Sequence, residues 1–164
     1  AVSWEKTEEK MHAVIDKEKC IGCGECLTVC APKAVQIDWR AELGPFNERM
    51  VEYALGAISG KKDRVGFFNF LINITPDCDC VSWSDSPMVP DIGILASSDP
   101  VALDMASYDL VNSQSGFAHS HLKSNLAPGE DKFKGAWSYT CGEVQLSYAE
   151  SIGLGTTQYE LVEV

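Results

Sequence analysis

The sequence is poor in basic residues: 13 Lys and Arg stand against 24 Asp and Glu, for a net charge of −11 at pH 7. Such a chain repels phosphate backbones, so no nucleic-acid partner is expected. Its short cationic stretch, Lys61-Lys62-Asp63-Arg64, falls where a helix should end, and cations there complement the helix dipole. A long apolar run is missing too. The longest, VGFFNFLINI, is broken by Asn69 and Asn73 and falls short of the ~18–20 residues that cross a bilayer, so no membrane partner is expected. The opening AVSWEKTEEK has neither the basic start nor the apolar stretch of an export signal, which makes a cytoplasmic location the expectation. Residue 1 is not Met, and upstream sequence is expected to be missing. Cysteines in even number are also absent. There are seven, and an odd count without an export signal argues against a disulfide framework.

What is present is a concentration of thiols. In KCIGCGECLTVCAPKAV, residues 19–35, Cys20, Cys23, Cys26 and Cys30 follow the spacing C-x2-C-x2-C-x3-C. That spacing is the bacterial ferredoxin run that holds [4Fe–4S] clusters. The first three thiolates must point inward from a tight loop. Gly22 and Gly24 suit such a loop because they allow positive φ and leave backbone N–H groups free for sulfide. The fourth Cys usually serves a partner cluster. A structural zinc site normally takes its second pair from farther along the chain, and a thioredoxin-like C-x-x-C needs only two thiols.

The flanks HAVID (12–16) and AVQID (34–38) read as two strands that pair around the loop, with a short helix near GECLTVC between them. Residues 1–40 thus read as the second half of a two-cluster ferredoxin-like segment. One departure is that the usual C-P is C-A-P here. A faint repeat, AV followed closely by Trp after Cys30 and again at residues 1–4, places a first cysteine run upstream. Three sources of a fourth ligand stay open. It lies upstream in a longer protein; or it is Cys78, Cys80 or Cys141; or one iron is left open as a Lewis acid.

Residues 41–164 read as an α/β domain with a mostly parallel sheet and covering helices, because strands alternate with helices. PFNERMVEYALGAISGKK puts Phe46, Met50, Ala54, Leu55 and Ile58 on one helical face, with Pro45 in the first turn and Gly60 at the end. RVGFFNFLINI and DIGILAS read as buried strands. Asp99 and Pro100 open a helix, Thr140 and Glu143 are spaced as a capping box, Gly153 stops the last helix, and QYELVEV reads as a final strand. The stretch 113–139 reads as a long surface excursion.

Two turns after strands could carry chemistry. Asp77, Cys78, Asp79 and Cys80 form a thiol and carboxylate group able to hold a second metal, or are ordinary loop residues. Ser98 and Asp99, at a helix start, form a possible anion or ligand site, or simply cap the helix. Asp91 and Asp104 could join Asp99, and His119 and His121 could join Cys78 and Cys80. Cys141 reads as a structural thiol, and Trp83 and Trp137 as packing residues.

The blocks NFLINITPDCDC, SDSPMVPDIGILASSDPVALDMASYDLVN and EVQLSYAESIGLGTTQYELVEV resemble the C-terminal half of the uncharacterised Fe–S centre proteins of domain of unknown function family 362. The resemblance implies a two-cluster ferredoxin segment inserted in an α/β domain, with the first cysteine run and an N-terminal half of that domain preceding this chain. Asp77 to Cys80 and Asp99-Pro100 carry over as family-typical positions without a role.

The expected function is therefore an iron–sulfur protein. Cys20, Cys23, Cys26 and Cys30 would supply the thiolates of a [4Fe–4S] cluster, which passes electrons between a redox partner protein and an α/β domain of unknown substrate. The alternative is a metal-dependent enzyme domain centred on Cys78 and Cys80, with the ferredoxin segment accessory. A third reading is a non-catalytic scaffold stapled by the cluster.

Overall fold

The computed structural model describes residues 1–7, 9–36, 42–61, 64–78, 80–83 and 85–164. The chain divides into two compact units, Ala1–Arg40 and Ala41–Val164.

In the first unit, strands β1 (Val2–Lys6) and β2 (Met11–Ile15) form an antiparallel hairpin, with Val2 opposite Ile15 and Lys6 opposite Met11. Thr7 closes the turn, its N–H and its hydroxyl both donating to the Lys10 carbonyl. The pairing corrects an expectation. The partner of β2 is 2–6 rather than 34–38. Residues 34–36 form no strand, and Ile37 and Asp38 lie outside the described residues. Helix α1 (Glu25–Val29) follows the cysteine loop. No described residue of this unit is buried.

In the second unit, α2 (Leu43–Ile58) leads to β3 (Phe67–Leu71), β4 (Gly93–Ser97), α3 (Pro100–Ser113), a single turn α4 (Lys132–Ala136) and α5 (Gly142–Ser151). Gly60, at φ 71°, ends α2 in the left-handed conformation that favours glycine. The mostly parallel sheet is not found. Among the described residues each sheet has two strands and both are antiparallel. The reason lies between β3 and β4. A parallel crossover needs a dozen or more residues and usually a helix. The 72–92 link holds none among its described residues and turns back, with Ile92 N–H donating to the Leu71 carbonyl at 2.8 Å. Phe67 therefore faces Ser97 and Leu71 faces Gly93. Nor are the two strands buried on both faces. Leu71 and Leu95 point to the core, while Phe68, Phe70 and Ile94 are each about 60% exposed on the other face. QYELVEV forms no strand; residues 158–164 are exposed and held through side chains such as Tyr159, whose OH donates to Asp109 Oδ2 at 2.7 Å.

Helix α3 packs on the sheet, and α2 packs on α5. Asn69 pins sheet to helix, its amide donating to Asp104 Oδ1 at 2.8 Å and Ser107 Oγ at 2.9 Å. One core cluster gathers Leu71, Met88, Val89, Val111, Leu122 and Ala136; a second gathers Val51, Val101, Leu146, Ala149 and Leu154. Val51, Leu55 and Ile58 are the part of α2 that packs there, while Phe46 and Met50 are exposed.

The 113–139 stretch is no surface excursion. Leu122 and Ala136 enter the core, and Lys132 is fully buried. Its ammonium donates to the carbonyls of Ala127 (2.7 Å), Glu130 (2.8 Å) and Asn112 (3.2 Å), which gathers the loop around one cation. Burial pulls this lysine's pKa below its usual 10.5. Gly135 permits the closeness, since a Cβ there would collide with the Ser124 carbonyl.

Candidate functional site

The cysteine loop is built by short-range interactions. Cys20 N–H donates to the Asp16 carbonyl at 2.9 Å, which ties the loop to the end of β2. Gly22 and Gly24 then take φ of 71° and 73°, left-handed values that side chains disfavour, and Gly24 caps α1. Cys20 and Cys23 are exposed; Cys26, in α1, and Cys30, at its C-cap, are partly buried. All four thiols are unbridged. The N–H groups of Ile21, Gly22 and Cys23 donate to no acceptor among the described residues. Cys30 Sγ accepts from the Ala34 N–H at 3.3 Å, and Lys33, at φ 51°, donates back to the Cys30 carbonyl at 2.8 Å.

Donor type, glycine conformation and unpaired amides all suit an iron–sulfur cluster. The sulfurs themselves are not gathered. Among the described residues no three His, Cys, Asp or Glu side chains converge closely enough to hold a metal ion. The fit is thus one of chemistry and backbone, and three sulfurs reach one cluster only if the exposed loop closes.

The second thiol pair lies apart from this, in the 72–92 link. Cys78 and Cys80 are exposed and unbridged, with Cys80 N–H directed to Cys78 Sγ at 3.4 Å. Asp77 Oδ2 accepts from Trp83 Nε1 at 3.3 Å, and Asp79 lies outside the described residues. His119 is exposed. His121 packs against Trp137 with ring centroids 4.5 Å apart and the planes tilted by 39°, and its Nδ1 is 3.8 Å from Asp85 Oδ2. The described histidines and thiols do not assemble into a metal site.

At the start of α3 both oxygens of the Asp99 carboxylate are engaged by the chain itself. Oδ1 accepts from the N–H groups of Val101 (2.9 Å) and Ala102 (3.0 Å), and Oδ2 from that of Thr156 (2.9 Å). The helix start therefore carries an anion of the chain's own, beside Ser98, and the same group ties down the segment after α5. Asp91 accepts from Asn73 N–H at 2.7 Å in the turn, and Asp104 from Asn69, so the three acids serve three separate contacts. The expected Thr140 and Glu143 box does not form. Cys141 is the N-cap of α5, Thr140 donates to the Trp137 carbonyl, and Glu143 pairs with Lys134 at 2.7 Å. That ion pair lowers the Glu143 pKa.

One feature escaped sequence reasoning altogether. An apolar cavity of about 500 Å³ opens between α2, α3 and α5, with Asn47, Tyr108 and Gln145 among its polar lining. No periodic signal in the sequence marks it, because its lining comes from segments far apart in the chain.

A family model described as domain of unknown function (DUF362) matches residues 4–109. A curated relative, "Uncharacterized ferredoxin MJ0722" from Methanocaldococcus jannaschii, is 44% identical over 43 residues, which are 26% of this chain and 54% of the relative. The chain thus spans about half the length of that relative. No solved structure matches the chain significantly.

Proposed function

The chain belongs to the domain of unknown function (DUF362) family, and from that premise we propose that it is an iron–sulfur protein in which Cys20, Cys23 and Cys26 hold a [4Fe–4S] cluster. The observation that carries this reading is the missing core of the first unit. Ala1–Arg40 is a compact unit in which no described residue is buried and every cysteine is unbridged. Units of about 40 residues or fewer usually need disulfides, metals or association to fold. Four thiols around two left-handed glycines are the means this unit has. The relative named a ferredoxin supports the same reading.

When bound, such a cluster supplies one-electron transfer. The chain's own residues then do three things. The N–H groups of Ile21, Gly22 and Cys23, unpartnered among the described residues, would be available to inorganic sulfide. The chain's net charge of −11 would oppose added negative charge and favour a basic partner surface. Cys30, at the end of α1, serves either as fourth ligand or toward a partner cluster. Seven unbridged thiols suit a reducing compartment.

The test is anaerobic reconstitution of the full chain with iron and sulfide, followed by metal and sulfide analysis and electron paramagnetic resonance after reduction. About four irons per chain are expected, with cluster absorbance lost in Cys23→Ala and kept in Cys78→Ser. An iron-free product, or absorbance that survives Cys23→Ala, would sink the assignment.

A further inference from the structure

The cavity in the second unit has a chemistry of its own, independent of the cysteine loop. At about 500 Å³ it is within the ~300–1,000 Å³ range of small-molecule sites. Phe46, Leu71, Phe133 and Leu146 give it apolar walls. Its polar groups come from α2, α3, α5 and the residues just before α5. Asn47, on α2, spends its amide N–H on Cys141, reaching the carbonyl at 3.1 Å and Sγ at 3.3 Å. That leaves Asn47 Oδ1 without a donor among the described residues. Asp104, on α3, accepts from Asn69 through Oδ1 alone, and Oδ2 has no partner among the described residues. Gln145, on α5, makes no side-chain hydrogen bond among them. Thr140 and Tyr108 already donate elsewhere, to the Trp137 carbonyl and to Asp131 Oδ2. No lysine, arginine or histidine is among the lining residues described.

Among the described lining groups the open valences are acceptors at Asp104 and Asn47, and of either kind at Gln145 and at the exposed Tyr139 hydroxyl, in an open apolar pocket whose lining holds one carboxylate and no cation. An anionic ligand would meet a like charge and no counter-ion. A ligand with an apolar body and a protonated or N–H-bearing end would satisfy Asp104, Asn47 and Gln145 while filling the walls. We propose that this cavity binds a small apolar amine or similar hydrogen-bond donor, with its polar end between Asp104, Asn47 and Gln145. Cys141 stands in the same wall, at the N-cap of α5, and serves as a reporter of occupancy.

The experiment uses an isosteric pair, 1-naphthylmethylamine and 1-naphthylacetate, titrated into the full chain and followed by calorimetry. The amine should bind saturably and at least about tenfold more tightly than the carboxylate, the equivalent of about 1.4 kcal/mol. In Asp104→Asn that preference should shrink to about threefold or less. Because this variant also touches Asn69, a second measurement uses the unaltered protein. Saturating amine should slow alkylation of Cys141 by iodoacetamide at least about fivefold, read on its peptide by mass spectrometry, and leave Cys78 unchanged. Equal binding of the two probes would overturn the ligand class. Amine binding without protection of Cys141 would overturn the location. Absence of saturable binding would overturn the site and assign the cavity to another protein surface.

Discussion

Consider replacing Lys132 by Met, which keeps the length of the buried stem and deletes the ammonium. Three hydrogen bonds disappear, to Ala127, Glu130 and Asn112. Their acceptors fare differently. The Asn112 carbonyl keeps the Gly129 N–H at 2.7 Å, and the Ala127 carbonyl keeps the Glu130 N–H at 3.2 Å. The Glu130 carbonyl keeps no partner among the described residues. Glu130 is exposed, so its carbonyl turns to water, and each of the three lost bonds, made by a charged donor, costs about 1.5 kcal/mol. Removing a buried ammonium returns part of this, because its desolvation no longer opposes folding. The net expectation is a loss of about 2–4 kcal/mol.

In urea, with a slope near 2 kcal/mol/M, that is a midpoint lowered by about 1–2 M, read by far-UV circular dichroism of α2, α3 and α5. The pH dependence adds a sign. The folded lysine's pKa is lowered, so between that value and 10.5 the unfolded chain binds more protons than the folded one. The lysine's contribution to stability must therefore rise with pH across that window, and the gap between the parent and the Met variant must widen. A midpoint unchanged within error, or a more stable variant, would refute the view that this cation organises 113–139.

Other outcomes follow from single contacts. Gly155→Ala places a Cβ against the Asp99 carboxylate, with Cγ at 2.7 Å, and should cost about 1–3 kcal/mol; in an Asp99→Ala background the cost should largely vanish, so additive costs in a double-mutant cycle would contradict the packing. Tyr108, desolvated and donating to Asp131, has its pKa pushed up to about 12, so its contribution to stability is intact below pH 10 and fades as pH rises toward 12; Tyr108→Phe should remove about 1–2 kcal/mol of that fall, allowing for partial solvent screening, as measured by unfolding across the range. Asn69→Ala removes two half-buried bonds between sheet and α3 and should lower stability by about 1–3 kcal/mol, with hydrogen exchange accelerated in β3. Iron chelation of the reconstituted chain should make residues 1–40 sensitive to protease while 41–164 stays protected; equal protection of both would remove the argument from the missing core.

The parts legible in the sequence are those settled within a few residues of themselves. Asp99 followed by Pro100 announces the start of α3, because a short carboxylate reaches the next N–H groups whatever the rest of the chain does. Gly22, Gly24 and Gly60 mark left-handed turns for the same local reason. The capping box at Thr140 and Glu143 failed although its rivals are near in sequence: the Thr140 hydroxyl turns back to the Trp137 carbonyl three residues earlier, and Glu143 pairs with Lys134 on the preceding turn of helix. The 113–139 stretch looked like an excursion because its polar composition hides a buried cation and a few apolar anchors spaced without period.

By itself, then, the sequence determined the places of α2, α3 and α5, the Asp99 cap and the glycine-bounded spacing of four thiols, since each depends on contacts at short separation. Only the tertiary structure decided that β3 and β4 run antiparallel, that Lys132 lies inside, and that three helices leave a chamber between them. Those outcomes depend on where the chain returns in space, and residues far apart in sequence carry no periodic signal of meeting.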